Sequence, residues 1–215
     1  MSPLYNNIIS QLYSGLNRDE KFNFITHFAG LMAIIFVSPF LIYHANSKQQ
    51  AIAFTIYSIG ASFMFTCSAF YHLANNPVRK KIWQLFDYVA IFILIGCSYT
   101  AFIYLYMNTE WGFTFLTIHW IIIAFGVVFR ILEKNRFKKV SLTIYIFLGW
   151  MVLLIFKDIT ASMPYISKFL LVAGGVFYTI GVYFFINHKI RLSHAIWHIF
   201  VILGVVSHYL SLYFS

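Results

Sequence analysis

Residues 111–131 have the sequence WGFTFLTIHWIIIAFGVVFRI, in which Arg130, one residue before the end, is the first charged side chain. An α-helix needs about 20 apolar residues to cross the hydrocarbon core of a bilayer. This stretch is therefore long enough and apolar enough to form a transmembrane helix. A strand of a membrane β-barrel would be about ten residues long and would alternate apolar with polar side chains, which this continuous run does not do.

The same kind of stretch occurs six more times along the chain. We predict seven transmembrane helices with the bounds 25–45, 51–72, 82–107, 111–131, 140–156, 165–187 and 192–214. Lys157 and Asp158 are expected to end the fifth helix, which is the shortest. Short loops separate the helices, so we predict one transmembrane domain, 23–215, after a cytoplasmic N-terminal tail, 1–22. The tail has no apolar segment of the kind found in a secretory signal peptide.

The composition of the chain agrees with a membrane protein. Of its 215 residues, 61% are hydrophobic and 10% are charged, whereas soluble domains contain about 25% charged residues. The net charge of +9 does not indicate a nucleic-acid-binding protein, because the basic residues lie in loops between apolar stretches, where topology signals occur. Cys67 and Cys97 both fall within predicted helices, so no extracellular disulfide framework is expected.

The distribution of basic residues predicts which end of the bundle faces the cytoplasm. Of the 15 Lys and Arg residues, twelve fall on one side of the predicted topology, and the other side holds Lys48, Lys157 and Lys168. Cytoplasmic loops are enriched in Lys and Arg. We therefore predict a cytoplasmic N-terminus and an outward-facing C-terminus. Anionic lipid headgroups of the inner leaflet are the natural partners of this charge, and no soluble partner is indicated.

Three histidines are expected to meet at the cytoplasmic end. His194 and His198 are four residues apart at the start of the seventh helix, which places both imidazoles on one face. His72 ends the second helix, which runs in the opposite direction and reaches the same depth. A lone pair of histidines at this spacing is a weak signal, but three imidazoles at one depth favour a zinc site with an open fourth position. The predicted ligands are His72, His194 and His198.

Two further polar residues are predicted beside the metal. Asp87 is the only acid well inside a predicted helix, and charge within a membrane is costly enough to indicate function. Ser68 lies four residues before His72, on the same stripe of the second helix. We expect Asp87 to accept or orient the proton of a water molecule, and Ser68 to hold that water or stabilise an oxyanion. The alternative for Asp87 is an acid that stabilises a helix start through the helix dipole.

A second polar group, Glu20, Asn23 and His27, shares one stripe if the first helix extends back to Glu20. We interpret these residues either as partners that orient a metal ligand or as the polar face of a capped helix entrance. The remaining histidines have no comparable neighbours and are expected to be structural or interfacial, with two of them at the outer boundary. They are His44, His119, His188 and His208.

Several motifs can be compared with known families: Glu20-x2-Asn23-x2-Thr26-His27, Ser68-x2-Tyr71-His72-Leu73, Phe86-Asp87, Gly149-Trp150 and Ser193-His194-Ala195-Ile196-Trp197-His198. From about Glu20 to His208 the chain resembles the hemolysin III family, the bacterial branch of the progestin and adipoQ receptor (PAQR) family. The resemblance implies a multi-pass protein of the bacterial inner membrane, inserted in the orientation opposite to that of G-protein-coupled receptors. It also implies zinc bound at His72, His194 and His198. In eukaryotic members such a site is associated with ceramidase-like hydrolysis.

The sequence therefore predicts a zinc-dependent hydrolase of a lipid amide or ester at the inner leaflet. One alternative is a non-enzymatic sensor or membrane-homeostasis protein with structural zinc, and another is a pore-forming cytolysin, as the family name suggests. The predicted topology and the lack of a signal peptide argue against the cytolysin. Two departures from the family pattern affect the expected shape of the cavity: Tyr99-Thr100-Ala101 replaces the usual Tyr-Thr-Pro, and Tyr88 stands where histidine is common.

Overall fold

The computed structural model describes residues 16–132 and 138–215, apart from the side chains of Lys138 and Lys139. That part of the chain is helical and contains no strand. Seven helical spans are long enough and apolar enough to cross a membrane, which confirms the predicted fold class. The helices are Arg18–Tyr43 (α1), Lys48–Leu73 (α2), Pro77–Tyr106 (α3), Glu110–Leu132 (α4), Lys138–Trp150 (α5), Tyr165–Ile186 (α6) and Ser193–Tyr213 (α7).

Two parts of the predicted topology lie outside the described residues. These are the first 15 residues of the N-terminal tail and the loop positions Lys134 and Arg136. The predicted direction of insertion into the membrane therefore stays a prediction, based on the sequence distribution of Lys and Arg.

α1 begins at Arg18 rather than at residue 25, because Asn17 caps it. The Asn17 side chain accepts from the backbone N–H of Glu20 at 2.9 Å. Asp19 and Glu20 lie in the first turn, where negative charge interacts favourably with the helix dipole. The longer helix places Glu20, Asn23 and His27 on successive turns of one face.

The fifth span is built from three pieces. α5 continues into a 3₁₀ helix, Met151–Ile155, and then into a short α-helical segment, Phe156–Thr160. At the end of α5, the Tyr99 hydroxyl donates to the Gly149 carbonyl at 3.0 Å. A side chain that inserts into the backbone ladder is a common cause of helix irregularity. The prediction that Lys157 and Asp158 end this span is wrong, because the last segment runs through both residues.

Two glycines allow α6 and α7 to pack closely. A Cβ atom at Gly174 would collide with the His208 ring, and one at Gly181 would collide with Trp197 and Phe200. Small residues of this kind let membrane helices approach each other. A Cβ at Gly175 would meet nothing within 4 Å. The close contact between α6 and α7 positions α7, which also packs against α1 and α2.

The helices alternate in direction, so the starts of α1, α3 and α7 meet the end of α2 at one end of the bundle. We call this the histidine end, and it contains Glu20, His72, Lys80 and His194. The opposite end, where α2 begins and α7 finishes, is called the far end.

Candidate metal centre

Three imidazoles converge at the histidine end, as their positions in the sequence predicted. His72 comes from the last turn of α2, and His194 and His198 come from the first two turns of α7. Each residue offers one ring nitrogen, and these nitrogens all lie within 4.8 Å of one another. The ring centroids are 4.6–5.1 Å apart. The three residues could therefore hold one metal ion.

Glu20 fixes the orientation of the His72 ring. The His72 Nδ1–H donates to Glu20 Oε2 at 2.6 Å, and Lys80 Nζ donates to Glu20 Oε1, also at 2.6 Å. Because a carboxylate only accepts, the neutral His72 ring carries its proton on Nδ1 and its lone pair on Nε2. Nε2 is buried and has no hydrogen-bond partner within the described chain. A carboxylate on the outer nitrogen is the usual way to orient a metal-binding histidine.

α1 fixes His198 in the same tautomer. The His198 Nδ1–H faces the Asn23 carbonyl oxygen at 3.2 Å and the Thr26 hydroxyl at 3.0 Å. Thr26 uses its own proton for the carbonyl of Phe22 or Asn23, at 3.0 and 2.9 Å, so its oxygen is an acceptor for His198. The second ring nitrogen of His198, Nε2, is the one that could bind a metal ion.

His27 confines the His198 ring from one face. The two rings are stacked, with centroids 3.5 Å apart and planes inclined by 20°. His27 is 3% exposed, and neither of its nitrogens has a hydrogen-bond partner among the residues described. Asn23 supports His198 through its backbone carbonyl, whereas its side-chain Oδ1 is buried and has no hydrogen-bond partner among the described residues. Of the three predicted supporting residues, His27 lies against His198 by stacking and Asn23 through its main chain, whereas Glu20 holds His72.

Asp87 and Ser68 lie beside the three histidines. Both line a cavity that His194 and His198 also line. Ser68 is 1% exposed, and its hydroxyl is buried. The Asp87 carboxyl neighbours this hydroxyl and interacts electrostatically with His72. The structure thus brings the two predicted catalytic residues together with the predicted ligands.

The cavity has a volume of about 400 Å³, and most of its lining is apolar. Its walls come mainly from α3, the fifth span, α6 and α7, and on α7 it extends from His194 to His208. That distance is about 21 Å along a helix that rises 1.5 Å per residue. Leu153 of the fifth span and Val172 of α6 line it and are 61% and 44% exposed. The cavity therefore opens sideways, between the fifth span and α6.

The donor atoms present fit a metal ion. A buried nitrogen such as His72 Nε2 costs about 1–3 kcal/mol when it is left without a partner. A cation at the point where the three rings converge would supply that partner. Three neutral imidazole nitrogens suit Zn²⁺ and other late first-row divalent metals better than Mg²⁺ or Ca²⁺, which prefer oxygen.

Arg130, near the end of the predicted fourth helix, is buried. It is 1% exposed, and its guanidinium carbon lies 3.7 Å from the centroid of the Tyr88 ring. The Tyr145 hydroxyl donates to the Tyr88 carbonyl at 2.8 Å. A desolvated cation–π contact contributes about 2 kcal/mol. Tyr88, which stands where the family resemblance leads one to expect histidine, therefore anchors α4 and α5 next to Asp87.

His208 is a cavity residue that the sequence reasoning missed. It was expected at the outer boundary, but its Nε2–H donates to the Leu171 carbonyl at 3.2 Å and its ring packs edge-on against Tyr178. His194, His198 and His208 lie on one helical stripe, which is a signal that could have placed it. His119, expected to be alone, is fully buried, with its ring centroid 3.9 Å from that of Tyr99.

Most of this chain is similar in sequence to known proteins. Residues 16–209 match the model of a family described as "Haemolysin-III related". "Hemolysin-3" of Bacillus cereus is 33% identical over 190 residues, which cover 87% of each chain. "Hemolysin-3 homolog" of Bacillus subtilis is 34% identical over 190 residues, covering 87% of this chain and 89% of the relative. "Monocyte to macrophage differentiation factor" of Homo sapiens is 25% identical over 197 residues, covering 89% and 82%.

Proposed function

The chain belongs to the haemolysin-III related family, and on that premise we propose that this seven-span membrane protein is a zinc-dependent hydrolase of a lipid amide or ester at the cytoplasmic leaflet. The observation that carries the proposal is the position of Asp87 and three converging histidines at the head of an apolar cavity. A structural zinc site usually has four protein ligands, whereas a catalytic site has three and an open position.

His72, His194 and His198 would hold the metal. When bound, zinc polarises a carbonyl oxygen and makes a water molecule acidic enough to lose a proton near neutral pH. The protein keeps the ligand nitrogens available, because Glu20 and the main chain of α1 hold the outer nitrogens of His72 and His198. No hydrogen bond fixes the His194 ring within the described chain.

Asp87 is the proposed general base. Its carboxylate takes a proton from the attacking water, whose oxygen forms the new bond to the substrate carbonyl carbon. The Ser68 hydroxyl, which lies next to the Asp87 carboxyl, donates a hydrogen bond to the carbonyl oxygen as negative charge develops there. Asp87 then returns the proton to the leaving nitrogen or oxygen as its bond to carbon breaks. One water is consumed, and a fatty acid and an amine or alcohol are released.

The apolar cavity supplies the binding site for the acyl chain. Burial of each methylene group contributes about 0.8 kcal/mol. The opening between the fifth span and α6 lets the chain enter from the membrane without passing through water. The carbonyl at the head of the chain then reaches the end of the cavity where Asp87, Ser68 and the histidines lie.

The test is release of fatty acid by purified zinc-loaded protein in nanodiscs that contain a ceramide or a diacyl phospholipid. We expect release by the wild type and by Glu110→Gln, a matched control that removes an acid from the first turn of α4. We expect no release above background by Asp87→Asn. Stoichiometric zinc in the wild type with no release from any lipid offered would overturn the hydrolase and favour a structural metal site.

A further inference from the structure

A second cavity adjoins the metal centre at the histidine end. It has a volume of about 360 Å³ and is formed by the first turns of α1 and the turn between α6 and α7. His194 lines both this cavity and the apolar one. The metal centre therefore lies where a polar cavity and an apolar cavity meet. An acyl chain bound in the apolar cavity does not explain why a polar cavity also reaches the metal centre.

One wall of the polar cavity presents cations and hydrogen-bond donors. Lys189 and Arg191 line it from the α6–α7 turn, together with His188. The next residues, Ser193 and His194, begin α7. No side chain caps the first turn of α7. The Ser193 N–H donates to the Ile190 carbonyl at 3.1 Å, so the N–H groups of His194 and Ala195 are the ones that the helix start leaves available. Phosphate groups bind well at such helix starts.

The backbone before α7 is held in an unfavourable conformation. The N-cap residue, Leu192, has φ 58° and ψ 22°, in the left-handed region. Among the described residues, Leu192 is the only non-glycine residue with a positive φ. A residue such as leucine in this region costs about 1–2 kcal/mol, and such strain is concentrated at functional sites. The strained conformation at Leu192 therefore places the start of α7 beside the polar cavity. This placement costs folding free energy.

The other wall presents acceptors. Asp19 and Asn23 line it from the first turns of α1. Asn23 is 6% exposed, and its Oδ1 atom is buried and has no hydrogen-bond partner in the part of the chain described. An acceptor in this position requires a ligand that donates hydrogen bonds. A simple anion cannot do this, whereas an ammonium group can bind both Asn23 and the Asp19 carboxylate.

We propose that the polar cavity binds the headgroup of an aminophospholipid, with the phosphate on the Lys189–Arg191 wall and the primary ammonium on the Asp19–Asn23 wall. The inference rests on the proposed function, because it names the lipid class whose acyl chain occupies the apolar cavity. In a glycerophospholipid the acyl esters lie between the headgroup and the chains. In the protein the metal centre lies between the polar and the apolar cavity in the same order.

The chemistry of the two walls distinguishes between common lipids. Phosphatidylethanolamine has both the phosphate and an N–H donor. Phosphatidylcholine has the phosphate but no N–H donor for Asn23. Phosphatidylglycerol has hydroxyl donors but no cation for Asp19, and ceramide has no phosphate.

The experiment measures lipid binding by the zinc-loaded protein in detergent, by native mass spectrometry, with dioleoyl forms of the three phospholipids and with a ceramide. We expect phosphatidylethanolamine to bind about tenfold more tightly than phosphatidylcholine, which corresponds to about 1.4 kcal/mol. Lys189→Gln/Arg191→Gln should remove most of the binding, and Asn23→Leu should remove the preference. The matched control Arg79→Gln/Lys81→Gln removes two exposed cations from the same end of the bundle. Neither of these residues lines the polar or the apolar cavity. This control should change neither the binding of phosphatidylethanolamine nor the preference for it over phosphatidylcholine.

Equal binding of the three phospholipids, or equal losses in the control and in Lys189→Gln/Arg191→Gln, would overturn the headgroup site. Soluble glycerophosphoethanolamine is added as a competitor. If it binds as tightly as the lipid, the site takes a soluble phosphate ester and the lipid assignment is wrong. Zinc content of each variant reports whether the fold is intact.

The same preparations separate this inference from the proposed function. Preference for phosphatidylethanolamine without hydrolysis of any lipid would keep the headgroup site and overturn the hydrolase. Hydrolysis of ceramide without preference for phosphatidylethanolamine would keep the hydrolase and overturn the headgroup site.

Discussion

The two ends of the bundle both join α2 to α7 through polar side chains, but they do so differently. At the far end, Gln50 Nε2 donates to the carbonyls of Leu212 and Tyr213 at 3.1 and 3.2 Å, and lies 2.6 Å from the Ser215 hydroxyl. The hydroxyls of Ser58 and Tyr209 are 2.9 Å apart. At the histidine end, the polar side chains of α2 and α7 approach each other without forming such bonds.

The difference separates a structural polar contact from a ligand site. The last carbonyls of a helix lack partners within the helix, and Gln50 supplies one for the end of α7. This contact is complete without a ligand. At the histidine end, the outer nitrogens of His72 and His198 are hydrogen-bonded, whereas His72 Nε2 is buried without a partner. We propose that a metal ion at the three histidines completes that contact.

The strongest test of the difference is Asp87→Asn. The substitution keeps the size of the side chain and removes the group that accepts a proton. We expect turnover to fall by about 10²–10⁴-fold, the usual contribution of general acid–base catalysis. Zinc content should stay at the wild-type value, because Asp87 is not one of the three converging ligands. Turnover within about tenfold of the wild-type value in the variant would remove Asp87 from the mechanism.

The next test is the hydrogen bond between Glu20 and His72. Glu20→Ala leaves the His72 Nδ1–H without its carboxylate acceptor, and we expect metal affinity to fall by about 10–100-fold. Glu20→Gln retains an acceptor oxygen and should recover part of that loss. Competition with a zinc chelator measures both affinities, and Glu110→Gln serves as the control at the far end. Equal affinities in the Ala variant and the wild type would show that Glu20 does not orient the ligand.

At the far end the expected effect is on stability. Gln50→Ala removes the donor for two α7 carbonyls, which we expect to cost about 1–3 kcal/mol of folding free energy. Thermal unfolding in detergent measures the loss. Zinc per chain should not change, because Gln50 lies at the opposite end from the histidines. A loss of zinc in this variant would show that the two ends are not separable.

The smallest expected effect is that of Lys80→Met. Lys80 and Glu20 are 30% and 22% exposed, and partly exposed ion pairs contribute about 0–1 kcal/mol. We therefore expect metal affinity to weaken by about fivefold or less by the same chelator competition. A loss as large as that of Glu20→Ala would mean that Lys80 is needed to hold the Glu20 carboxylate in place.

Much of the fold could be predicted because a membrane permits few structures. Spanning segments must satisfy their backbone hydrogen bonds internally, so long apolar runs become helices. The early start of α1 also has a sequence signal, since Asn17 followed by Glu20 resembles a capping box. The 3₁₀ helix in the fifth span has none, because it depends on the Tyr99 hydroxyl, which comes from another helix.

The three histidines could be placed from helical spacing and chain direction alone. The roles of Thr26 and Lys80 could not, because their bonds to His198 and Glu20 depend on how α1 is rotated against its neighbours. The same holds for Asn23, which supports His198 through its main chain and so leaves no side-chain signal for that contact. Sequence patterns identify which residues reach one level, and packing decides which atoms meet.

The central claim, that the histidine end holds a metal ion, is tested most directly by elemental mass spectrometry of detergent-purified protein. The wild type is compared with His194→Ala/His198→Ala and with His44→Ala, an exposed histidine outside the cluster. About one zinc per chain in the wild type and in His44→Ala, and none in the double variant, is the predicted result. No bound metal in the wild type, or equal zinc in all three proteins, would contradict the account.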